Sequence, residues 1–152
     1  MTRMILAGLV LSASALSAQQ QPLVGTWKLS YPAGMRMVDG AATPIMATGV
    51  LTIAAQGDSL VGDLTTDPSP EHPQRPATRL SAPAAGGDEL VFASRSEATI
   101  NRNGDAQTAV VWSTWTFEVK GDSLVGTVER KVEGIDLPSS GPQPVTGVRA
   151  KR

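Results

Sequence analysis

The residue best suited to binding chemistry in this chain is Arg130. It shares the parity of Leu124, Gly126 and Val128 along one alternating run, so an unbroken strand aims its guanidinium inward. In a water-poor interior a guanidinium can hold a carboxylate through two parallel N–H···O bonds. The competing reading is a twist or bulge after Val128 that lets Arg130 run outward along the surface. On other alternating runs Tyr31, Thr66, Ser94, Ser96, Ser113 and Trp115 keep inward parity at a similar height. An apolar wall with a few orienting polar groups is the composition of a small-molecule pocket. The same positions also suit the wet ends of strands in a barrel filled by its own side chains.

Other chemistry lacks its residues. His72 is the one histidine, it lies in the proline-rich stretch 67–76, and the chain has no cysteine. That supplies neither a nucleophilic triad nor a zinc set. The acidic residues fall mostly on turns and outward faces, with no carboxylate pair placed for acid–base work. Phosphate-loop and EF-hand spacings are missing as well. The expectation is a binding protein without enzyme activity, cofactor or metal.

These side chains need a frame, and a pattern occurring three times supplies it. Gly57-Asp58-Ser59-Leu60-Val61, Gly87-Asp88-Glu89-Leu90-Val91 and Gly121-Asp122-Ser123-Leu124-Val125 each follow one alternating run and open another. Gly with Asp provides the positive φ and the side-chain hydrogen bond of a tight hairpin turn, and Leu restarts the inward face. Their uneven spacing argues against a repeat array, which keeps a fixed period.

Strands are expected over 24–31, 48–55, 60–66, 77–82, 89–100, 107–120, 124–132 and 145–150. The first sets Gly25, Trp27, Leu29 and Tyr31 on one face and Thr26, Lys28 and Ser30 on the other. Eight strands, each antiparallel to its sequence neighbour, predict an all-β, up-and-down meander closed into a barrel, which removes exposed edges. Chain direction then gathers the three Gly-Asp turns at one end. The connections 32–46, 67–76, 101–106 and 133–144 ring the other, open end, where such barrels bind. The lower lumen collects Trp27, Leu51, Ile53, Leu60, Leu64, Leu90, Phe92, Phe117, Val119 and Leu124 as an apolar plug. In the 32–46 connection Met35, Met37 and Met46, with Ile45, form either an adaptable apolar lid or a cover packed on the mouth. Trp112 falls in the outward set beside Val110 and Thr114, marking a bulge, a covered patch or a partner surface.

Residues 1–18 read as a secretory signal: Arg3 near the start, an apolar run over 4–16, then small residues that suit a cut after Ala15 or Ala18. The run is too short to span a bilayer, so the mature chain is expected to lack a transmembrane segment and to be periplasmic or secreted. The remainder, 19–152, is sized for a single domain. The whole chain carries a formal charge of −1, with no basic run apart from Arg149-Ala150-Lys151-Arg152, so no nucleic-acid partner is expected.

Gly25-x-Trp27 on the first strand of a secreted meander resembles the opening motif of the lipocalins. Gly25-Thr26-Trp27-Lys28-Leu29 also looks like the start of the fatty-acid-binding proteins, and Gly-Thr-Trp is similar to a motif of avidin-like barrels. All belong to the calycin superfamily. The resemblance implies a lumen that holds a small, mostly apolar ligand. It also implies that Trp27 packs across the closed end beneath an arginine of the last strand, here Arg149, by cation–π contact. The chain departs from the pattern in having no helix after the eighth strand, no disulfide and no helical lid between the first two strands. The expected function is an exported, lipocalin-like carrier of a small apolar ligand. The alternative is a protein-interaction module, such as a protease inhibitor or envelope accessory protein, that grips a partner with its open-end loops.

Overall fold

A computed structural model describes residues 22–83, 90–102, 104–134 and 141–151. The expected leader, 1–18, lies outside the described residues. Eight strands run in order: β1 (Gly25–Val38), β2 (Ala41–Gln56), β3 (Ser59–Thr66), β4 (Thr78–Pro83), β5 (Leu90–Arg102), β6 (Asp105–Lys120), β7 (Ser123–Val132) and β8 (Gln143–Arg149). Each pairs antiparallel with the next, and β1 pairs with β8, so the sheet closes into an up-and-down barrel. No helix among the described residues is long and apolar enough to cross a membrane.

Two of the Gly-Asp turns are described, and they lie at the same end. Gly57 and Gly121 have φ of 57° and 64° at the first central position of two-residue loops closed by Gln56–Ser59 and Lys120–Ser123. A type II′ turn requires that conformation, and it matches the strand twist. The turn at 87–88 lies outside the described residues.

At the open end two expected loops are in fact strand. The 32–46 connection is a continuation of β1 and β2 that turns at Asp39 (φ 50°) and Gly40 (φ 80°). Positive φ at both central residues is the type I′ geometry favoured by Asp-Gly. The prolines do not prevent it, because each sits where no third strand needs its N–H. Pro32 lies beyond the last β1–β8 pair, Ser30–Thr146, at a register shift between Pro32 and Gly34; Pro44 lies beyond the last β2–β3 pair, Gly49–Thr66. Met35, Met37 and Met46 therefore stand on a paired two-stranded ribbon rather than a lid loop. Likewise β5 and β6 pair up to Arg102–Asp105, and Gly104, just before Asp105, has φ of 87°. Of the expected loops, 67–76 is irregular chain that continues to residue 77, and 133–144 is described only in part, with β8 already begun at Gln143.

The core follows the period-2 pattern. Trp27, Leu51, Ile53, Leu60, Leu80, Phe92, Leu124, Val128 and Val145 are fully buried. Leu64, Leu90 and Phe117 are buried too, Val119 partly, and the Phe92 and Phe117 rings meet at 5.6 Å between centroids. Gly126 lies opposite Phe117 on the inner face, and a methyl there would run into the Thr116 carbonyl oxygen and crowd the Phe117 ring.

At the closed end Trp27 is wholly buried and donates its indole N–H to the Leu23 carbonyl at 2.9 Å. Arg149, its register partner on β8, lies over the ring with Cζ 4.2 Å from the centroid. The guanidinium also donates to the Pro22 carbonyl at 2.7 Å and the Val24 carbonyl at 3.3 Å, and its Nε lies 3.7 Å from Asp122 in the Gly-Asp turn. Gly25 (φ 138°) gives this side chain room: a Cβ there would stand 2.9 Å from Arg149 Nη1.

Candidate functional site: a polar cup over Trp115

Register brings the inward polar positions together. Ser94 on β5 lies opposite Ser113 on β6, and Ser113 lies opposite Arg130 on β7, so the three form one inner row. Phe92, Trp115 and Val128 form the row beneath. The Trp115 indole is buried and donates to Ser94 Oγ at 3.1 Å, which fixes the ring as a floor. Tyr31 meets it edge-on from β1, at 5.6 Å between centroids and 68° between planes. The Tyr31 hydroxyl is 2.6 Å from Thr66 Oγ1 on β3. Arg130 lies over the same floor, with Cζ 5.6 Å from the Trp115 centroid. Tyr31, Ser94, Ser113 and Trp115 are buried, while Thr66, Ser96 and Arg130 are half-buried. The Trp115 row is thus buried, and half-buried groups appear in the polar positions above it.

Arg130 has no carboxylate within ion-pair distance among the described residues. Burial lowers its pKa from the ordinary arginine value, and the nearby Tyr31 partly opposes that. The Tyr31 phenol shifts the other way: burial pushes its pKa up, against the Thr66 hydrogen bond and the Arg130 charge. Asp67 and Arg75 also act on it, with opposite signs, so the 67–77 loop passes close to the cup. Trp115 gives the guanidinium a π-face but no counter-charge. A half-buried cation with no carboxylate partner among the described residues, and with a phenol and two serines in its surroundings, is chemically suited to an anionic oxygen ligand.

The loop is held on one side. The Asp67 N–H donates to the Thr48 carbonyl at 2.8 Å, and Thr48 Oγ1 donates to Asp67 Oδ2 at 2.7 Å. Glu71 forms an ion pair with Arg36 of the β1–β2 ribbon. Ser69 and His72 exchange backbone hydrogen bonds of 3.1 and 2.7 Å in a tight turn, and His72 is the one buried side chain of residues 67–77. Its Nε2 has no hydrogen-bond partner. Sequence reasoning assigned His72 to a polar loop and missed its burial.

Met35 and Met46 are 43% and 52% exposed, and Gln143 Nε2 lies 3.6 Å from Met35 Sδ. Trp112 faces outward on a continuous register, so no bulge is involved; its indole donates to Glu133 Oε2 at 3.1 Å, and Arg95 lies 5.9 Å from the ring centroid. A hollow of about 530 Å³ lies outside the barrel wall, among Lys28, Ser30, Thr48, Val50, Thr146 and Val148, where Gly49 and Gly147 flank Leu29. No group of three or more metal-ligating side chains is found among the described residues. No protein-family model, curated protein or solved structure matches the chain.

Proposed function

We propose that this chain is an exported, calycin-like barrel that binds a small, largely apolar molecule at its open end without transforming it. The observation that supports this reading is the Arg130 guanidinium, half-buried on Trp115 with no carboxylate partner among the described residues. A charge in that position is costly until an anion completes it. The ligand therefore carries an acidic group that sits at Arg130 beside Tyr31, while its apolar body extends upward between the two projecting ribbons. The Gly25-Thr26-Trp27 opening, the Trp27–Arg149 contact and the closed eight-stranded meander support a calycin-like origin. The leader-like residues 1–18 support export to the periplasm or beyond.

Calorimetry with decanoate, decanol and decylamine tests the reading. Decanoate is expected to bind at least tenfold more tightly than decanol, and Arg130→Met to erase that preference. Equal binding of the acid and the alcohol would remove the Arg130 role, and no binding of any of the three would remove the carrier. A second reading, a module that grips a partner protein, is favoured by the exposed Met35, Val38 and Met46 on the β1–β2 ribbon. Native mass spectrometry of the protein recovered from its own host separates the two, because a bound small molecule and a bound polypeptide differ greatly in mass.

A further inference from the structure

The barrel wall is not equally strong all the way round. β6 and β7 stay in register from Val111–Val132 to Lys120–Ser123, and β3 and β4 from Leu64–Thr78 to Ser59–Pro83. Between β4 and β5 the one registered pair among the described residues is Ser81–Ala93. The residues on either side explain why. Continuing that register upward would set Arg79 directly against Arg95 on the outer face, and like charges placed opposite each other push strands apart. Arg79 instead leans toward the other side, donating to Gln56 Oε1 at 3.1 Å and lying 3.9 Å from Asp63, while Arg95 turns to Trp112. Continuing downward would bring Pro83 opposite Val91, and proline has no N–H for the ladder.

The ties of the adjoining loop are equally one-sided. Asp67 is bound to Thr48 on β2 and Glu71 to Arg36 on β1, and β4 itself is paired along β3. The inner row that begins at this seam is the one that ends at Arg130, which has no carboxylate partner among the described residues: Ser94, immediately above Ala93, then Ser113, then Arg130. Two hydroxyls, those of Ser94 and Ser113, therefore stand in register between the weakest line of the wall and Arg130.

We propose that residues 67–83, the mouth loop together with β4, form a flap that parts from β5 along the Ser81–Ala93 seam and admits ligand to the Ser94–Ser113–Arg130 row. This inference rests on the carrier reading for its purpose but not for its mechanics. The flap stays on β3 as it moves, and the single β4–β5 pair is what must break. A gate of this kind sets how fast ligand enters and leaves, not how tightly it is held.

The chain has no cysteine, so a staple can be placed without interference. Ser81→Cys/Ala93→Cys pairs two exposed, directly opposed positions outside the cup; Thr116→Cys/Thr127→Cys, across the continuous β6–β7 ladder, is the control. The probe is 11-(dansylamino)undecanoate, followed by stopped-flow fluorescence. Oxidised Ser81→Cys/Ala93→Cys is expected to slow association and dissociation together by at least tenfold, leaving Kd within twofold of wild type. Reduction should restore both rates, and the control staple should change neither. Wild-type rates in the oxidised seam variant would overturn the gate. If wild type does not bind the probe, the carrier reading suffers, and amide exchange then judges the flap alone. β4 amides facing β5 should exchange at least tenfold faster than those of the β6–β7 ladder; equal protection would overturn the proposal.

Discussion

Arg130 and Tyr31 sit over one indole, that of Trp115, and each shifts the other's ionisation: the guanidinium holds the phenol's pKa down while burial pushes it up. Tyr31 is the one tyrosine of the chain, so the ultraviolet absorbance of phenolate reports on this site alone. Its midpoint is expected above the ordinary value of 10.0, because burial is the largest influence. Arg130→Met should raise it further, and saturating decanoate should do the same in wild type by neutralising the guanidinium. A midpoint unmoved by either would show that the two groups do not share a field. Since the folded pKa is raised, the neutral phenol's contribution to stability is complete below the unfolded pKa and is lost as pH rises through the folded one. Stability should therefore fall on the alkaline side of pH 10, and less steeply in Tyr31→Phe.

A half-buried cation with no carboxylate partner among the described residues, as Arg130 is, has a stability cost. Burial lowers the pKa of Arg130, which means that the fold disfavours its charged form at every pH below that range. Removing the charge relieves this, against the loss of a cation–π contact of about 0.5–1 kcal/mol. Arg130→Met is expected to unfold in urea at a midpoint equal to or above that of wild type while losing preference for the acid probe. A lower midpoint would mark the guanidinium as a structural element instead.

The opposite is expected at the closed end, where Arg149 is fully employed. It covers Trp27 and donates to the Pro22 and Val24 carbonyls. Arg149→Met keeps an apolar stem on the ring but removes both hydrogen bonds and the charge, costing about 2 kcal/mol in urea denaturation. No effect on acid-probe affinity is expected, since the residue lies at the far end of the barrel. A loss of affinity in a fully folded variant would contradict that separation.

Much of the architecture is legible because two simple rules govern it. Gly57-Asp58 and Gly121-Asp122 announce hairpin turns through the positive φ that glycine accepts, and period-2 alternation then assigns inner rows without knowledge of the partners. The inward parity of Ser94, Ser113, Trp115 and Arg130 follows from the same counting. What was not legible depends on neighbours distant in sequence. Pro32 and Pro44 look like strand breakers until the absence of a third strand beside them is known. The burial of His72 depends on how its loop folds back, which no local propensity encodes. The weakness beside Ser81–Ala93 emerges only once register sets Arg79 against Arg95.

His72 is the least economical buried side chain described. Its Nε2 is enclosed without a partner, and a polar atom left in that state costs about 1–3 kcal/mol. His72→Leu keeps comparable volume and removes the unsatisfied atom, so it should raise stability by about 1 kcal/mol. Thermal unfolding checks this; a drop of similar size would mean that the imidazole is hydrogen-bonded through water.

At Gly126, β7 leaves no room for a side chain against β6. Its inner face meets the Thr116 carbonyl oxygen and the Phe117 ring, and Thr116 and Phe117 are themselves fixed in the β5–β6–β7 ladder. A flexible side chain can yield to an added methyl, but a backbone carbonyl within a continuous ladder cannot move without lengthening its neighbours' hydrogen bonds. Overpacking in a core ordinarily costs about 1–3 kcal/mol, and with backbone as the obstacle Gly126→Ala belongs at the upper end. Gly40→Ala should cost less than this, because nothing crowds that glycine and only its turn conformation (φ 80°) is strained. Urea midpoints for the pair decide the matter. If Gly126→Ala proves the milder of the two, β7 has freedom to shift outward at Gly126.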